Sequence, residues 1–134
     1  MNPDNSHYSI IKTVSSNYTE TIERVKNALA TQGFGVLTEI DISATLKKKI
    51  NVDYPRTIIL GACNPPIAHQ ALRAVPDIAV LLPCNVVVRE NSQGGVEVAA
   101  MNPLVMGQLI DNSEIKTVSE EVEKRIRTAL DTLD

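Results

Sequence analysis

The sequence predicts an α+β domain, a mostly antiparallel five-stranded sheet with helices packed on one face. Three observations lead there. Short runs rich in β-branched residues, such as Ile58-Ile59-Leu60 and Val86-Val87-Val88, have the length and composition of buried strands. Between them stands an apolar stripe at helical spacing: Ile67, Ala68, Ala71, Leu72 and Val75. With 43% hydrophobic residues but no Trp and one Phe, the core must be filled by Val, Ile, Leu and Ala, which suits helices laid over a sheet.

In chain order, Tyr8 to Val14 alternates Tyr8, Ile10, Lys12 and Val14 against Ser9, Ile11 and Thr13, the pattern of a first strand. Asn17 with Glu20 three residues later is a capping box. Tyr18, Ile22, Val25 and Leu29 form the stripe of the helix behind it, and Gly33 supplies its left-handed stop. A second strand runs from about Phe34 to Ile40, with Phe34, Val36, Thr38 and Ile40 on one face and Gly35, Leu37, Glu39 and Asp41 on the other. Asp41 or Ser43 caps a short helix over Ala44 to Ile50, and Asn51 to Pro55 is a polar connection that holds Tyr54 extended.

The strand from Thr57 ends in Gly61-Ala62-Cys63-Asn64. Asn64 then stands at the N-cap and Pro65 at the first position of a helix reaching about Val75, where Pro76-Asp77 ends it. After Asp77 the chain reads as extended again, with Pro83 kinking a strand that runs through Glu90. Two geometries follow for that segment. If Ile78 to Leu82 is already strand, the helical crossover makes it parallel to its predecessor and sets Cys84 roughly 20 Å from the Cys63 end. If the strand begins at Pro83 it runs antiparallel, and both Cys-Asn pairs reach the same edge. Asn91 to Gly95 is a hairpin connection into a strand with Val96, Val98 and Ala100. Asn102-Pro103 starts a short helical turn, and Thr117 with Glu120 caps a last helix whose stripe is Val118, Val122, Ile126, Ala129, Leu130 and Leu133.

The 134 residues make one domain, 1–134, with 1–7 as a flexible tail. A net charge of −3 gives no basic footprint for nucleic acid. No stretch approaches the ~18 apolar residues of a membrane span, and no secretory signal opens the chain. The expected setting is cytoplasmic, where two cysteines stay free thiols. No phosphate loop, nucleophile elbow, Cys-x-x-Cys or zinc-protease motif is present. No cofactor is expected, and two cysteines with His69 and His7 do not make a structural metal site.

The residues that carry chemistry gather at the strand ends. Cys63 precedes a helix N-terminus, whose dipole favours a thiolate, so it is the candidate nucleophile. A packed, inert thiol is the competing reading. Cys63, Asn64, Cys84 and Asn85 form a candidate small-ligand site, with Glu39 and Tyr54 closing it. Glu39 and Asp41 share a strand face, yet the cap explains Asp41 and a solvated strand position explains Glu39. Lys47, Lys48 and Lys49 point around a helix rather than at one spot, and His69 falls off the apolar stripe.

Gly61-Ala62-Cys63-Asn64-Pro65, followed by a helix and by Leu81-Leu82-Pro83-Cys84-Asn85-Val86-Val87-Val88, resembles the paired signature of domain of unknown function family 302. The upstream Gly33-Phe34-Gly35-Val36-Leu37-Thr38-Glu39-Ile40-Asp41, continuing through Ala44-Thr45-Leu46-Lys47, resembles that family's early segment. These proteins are small and mostly bacterial and archaeal. The resemblance runs from about Tyr8 to the last helix and implies a compact α+β domain, often a homodimer, with no activity attached. Asn102 departs from it, standing where an acidic residue before the proline is expected. Two functions remain open: a small-ligand or thiol-reactive site, and a non-catalytic homodimeric interaction domain in which the same residues are fold determinants.

Overall fold

The computed structural model describes residues 7–134; the expected tail at 1–7 lies, but for His7, outside them. Ten elements and one 3₁₀-helix follow one another: β1 (Ser9–Val14), α1 (Tyr18–Thr31), β2 (Gly35–Asp41), α2 (Ile42–Ile50), β3 (Thr57–Cys63), α3 (Pro65–Ala74), the 3₁₀-helix Pro76–Leu81, β4 (Cys84–Glu90), β5 (Val96–Met101), α4 (Leu104–Leu109) and α5 (Ser113–Asp131). The strands order as β1-β5-β4-β3-β2, and every neighbouring pair is antiparallel.

Alternation sends Val96, Val98 and Ala100 of β5, Val86 and Val88 of β4, and Leu60 and Ala62 of β3 to one side, all buried. There they meet Val25 and Leu29 of α1, Ala71 of α3, and Ile115, Val118, Val122, Ile126 and Ala129 of α5 in a single core. The opposite face carries none of these three helices.

The expected caps form where short polar side chains face unpaired first-turn amides. Asn17 Oδ1 accepts from Glu20 N at 2.8 Å, Asp41 Oδ1 from Ala44 N at 2.9 Å, and Asn64 Oδ1 from Ile67 N at 3.4 Å. Gly33, at φ +84°, takes the left-handed turn after α1.

Three expectations are corrected. The segment after Asp77 is not strand: Pro76 opens a 3₁₀-helix that buries Ile78 under the core, and β4 starts only at Cys84, after a cis Leu82–Pro83 bond. Ile78 packs into the core while Val80 stays 84% exposed, and because the strand begins only at Cys84 the antiparallel geometry is the one adopted. In β2, a register shift between Val36 and Thr38 puts Val36 opposite Ala62 but Ile40 opposite Ile59, so the two lie on opposite faces. Thr117 lies inside α5 rather than at its start. Asn112 caps that helix instead, accepting from Glu114 N and Ile115 N at 3.0 and 3.1 Å.

Candidate functional site

Pairing of β3 with β4 brings Ala62 opposite Cys84 and Gly61 opposite Asn85, so both Cys-Asn pairs reach one edge of the sheet. There Cys63, Asn64 and Cys84 border a cavity of about 40 Å³ that Phe34, Ile67 and Met106 also line. Its walls are almost wholly apolar, and its volume is far below the roughly 300–1,000 Å³ of a typical ligand pocket.

The polar groups at this edge are already engaged. Asn64, 7% exposed, accepts from Ile67 N at its oxygen, and its amide nitrogen donates to Gln32 O at 3.3 Å. One side chain thereby caps α3 and ties it to the end of α1. Burial pushes the Cys84 thiol up to about 11, with the nearby Cys63 thiol adding to the effect. Cys84 is therefore a neutral, packed thiol near pH 7. Both cysteines are free. Cys63 is partly exposed.

The other three predicted site residues lie elsewhere. Asn85 is exposed on the helix-free side of β4. Glu39 projects toward α1 and pairs with Lys26 Nζ at 2.9 Å. Tyr54 is 53% exposed in the connection leading into Thr57, at the far end of β3 from Cys63, about 20 Å away along a seven-residue strand. Neither Glu39 nor Tyr54 lines the cavity. Asp41 is the cap of α2. The amide of Ala44 and the Ser43 hydroxyl hold its carboxyl below the usual carboxylate range. Lys47 pairs with Asp53 at 3.0 Å, and His69 is exposed. Asn102 is buried and accepts from Leu104 N at 3.1 Å, a local turn bond that needs no negative charge. Among the described residues no group of three His, Cys, Asp or Glu is placed to hold a metal ion, and no helix is long and apolar enough to cross a membrane.

The helix-free face holds a feature that strand-by-strand reading missed. Ile11 pairs with Ala99, Ala99 with Val87, Val87 with Ile59, and Ile59 with Ile40. Five apolar side chains thus form one row across all five strands. Thr13, Glu97, Arg89 and Thr57 run beside it in register, with Arg89 Nε bonded to Glu97 Oε1 at 3.1 Å. Because Ala99 is small between Ile11 and Val87, the surface dips into a shallow hollow of about 300 Å³ bordered also by Asn85 and Arg89. Only the pairing register reveals the row, since each strand contributes one residue.

A family model described as "Domain of unknown function DUF302" matches residues 10–133. The fold is similar to the crystal structure of an uncharacterized conserved DUF302 protein from Bacillus stearothermophilus, with a TM-score of 0.90 and 27% sequence identity over 96% of this chain and 100% of that one. No curated protein matches the chain.

Proposed function

The chain belongs to the DUF302 family, and from that premise we propose that it is a non-catalytic homodimeric interaction domain whose working surface is the helix-free face of the sheet. The observation that carries this reading is the apolar row Ile11, Ala99, Val87, Ile59 and Ile40. None of the four large members joins the core on the other side of the sheet. A contiguous apolar stripe rimmed by polar residues marks a contact surface. Cys84 and Asn64 then serve as core and cap, and the free thiols suit a reducing, cytoplasmic setting.

Light scattering on the purified chain tests the reading: a dimer is expected, and Val87→Lys should be monomeric with an unchanged circular dichroism spectrum. A wild-type chain that stays monomeric at about 100 μM, well above the micromolar affinities of weak complexes, overturns it.

A second reading is favoured by the cavity that Cys63, Asn64 and Cys84 share: a thiol site for a small apolar ligand, with Cys63 as the reactive group. Partial exposure and the helix start beside it make Cys63 the thiol that alkylating reagents should modify first. Cys84, protonated until about pH 11, should react only as its thiolate fraction grows toward that pH. Equal rates at both thiols near pH 8 would remove the basis of this reading.

A further inference from the structure

This inference rests on the helix-free face being the contact surface, and adds how two copies meet there. We infer that the copies pack sheet to sheet about a two-fold axis that runs along the strands between β4 and β5, setting Arg89 of each over Glu97 of the other.

A closed pair of identical chains uses one patch on both, related by a two-fold axis. Facing sheets keep their strands within about 30° of each other, so rows come to lie near rows. The charged pair Arg89–Glu97 is the feature that distinguishes the possible axes. An axis along the apolar row turns each flank over the opposite one, which sets Arg89 against Asn85 and leaves both charges facing uncharged groups. An axis along β4 sets Arg89 over Arg89, and one along β5 sets Glu97 over Glu97. Like charges brought together in this way are strongly unfavourable.

Between β4 and β5 the arrangement becomes complementary. The ion pair within each copy joins its counterpart in a ring of four alternating charges. Val87 of one copy stands over Ala99 of the other and enters the hollow that Ala99 leaves between Ile11 and Val87. Ile59 comes over Ile11, and Thr57 over Thr13. Four strands of each copy face the other, with β2 outside the overlap; at about 4.8 Å spacing and six or seven residues each they offer roughly 400 Å² per copy and about 800 Å² in total, the size of a weak interface.

The axis can be tested by charge reversal in trans. Arg89→Glu carries acids at both positions and Glu97→Arg carries bases at both. Each variant alone should dimerise roughly tenfold or more weakly than the parent. Mixed at equal concentration, the two should form a heterodimer by native mass spectrometry, because every facing pair is then opposite in sign. Loss of the internal ion pair cannot produce that rescue, and circular dichroism on each variant checks the fold. If Val87→Lys abolishes dimers but the mixture forms no heterodimer, the face stands and the axis is wrong. If Val87→Lys leaves the dimer intact, the face and the axis both fall.

Discussion

Asn64 is committed at both ends of its amide, to the first turn of α3 and to the carbonyl of Gln32. A ligand that used this side chain would have to displace one of these bonds. Its removal should read as lost stability. Asn64→Ala is expected to lower the unfolding free energy by about 1–2 kcal/mol, from the cap together with the second hydrogen bond. Equilibrium denaturation measures this, and a variant as stable as the parent would show that neither bond matters. Cys84 follows the same logic: at 6% exposure its thiol is a small core hydrophobe, and burial keeps the proton on.

At the scale of elements, β2, β3 and β4 are held close by the absence of a side chain. A Cβ on Gly61 would collide with Thr38 Oγ1 and stand 2.8 Å from Pro83 Cγ. Gly61→Ala should therefore push β2 or the Pro83 turn away and cost about 1–3 kcal/mol. Thr38→Ala in the same chain should recover part of the loss in thermal denaturation, and no recovery would mean that Pro83 alone sets the clash. The block Gly61-Ala62-Cys63-Asn64-Pro65 thus begins with a glycine that the packing requires. Much of this level was legible in the sequence. Asn17, Asp41 and Asn64 were readable as caps because an N-cap is a local event among four residues. What stayed hidden depends on partners distant in sequence. Ile78 to Leu82 has the composition of a buried strand, yet it coils as a 3₁₀-helix that buries Ile78 and leaves Val80 exposed. The register shift after Val36, which turns Ile40 to the other face, has no signal in β2 alone. Of the six candidate site residues, three share a cavity, and the apolar row emerges only once the pairing of all five strands is known.

For the whole molecule, the proposed pairing of copies through the apolar row would couple stability to association. The isolated copy leaves Ile59, Val87 and Ile11 partly exposed, whereas the proposed pair would remove them from water at about 25 cal/mol per Å² of apolar surface. In that proposed pair folding and dimerisation would be linked by mass action, because the unfolded chain has no such face. Raising the protein concentration from about 1 to 100 μM should raise the melting temperature by about 5 °C, given the few kcal/mol that a hundredfold excess over the dissociation constant adds. Val87→Lys should remove that dependence while leaving the low-concentration melting temperature nearly unchanged, since the new lysine lies on a surface the single copy already exposes. A melting temperature independent of concentration in the parent chain would mean that association contributes nothing to its stability. A Val87→Lys variant that melts much lower even when dilute would assign Val87 to the fold of the single chain, and the row would then be part of its packing rather than a surface.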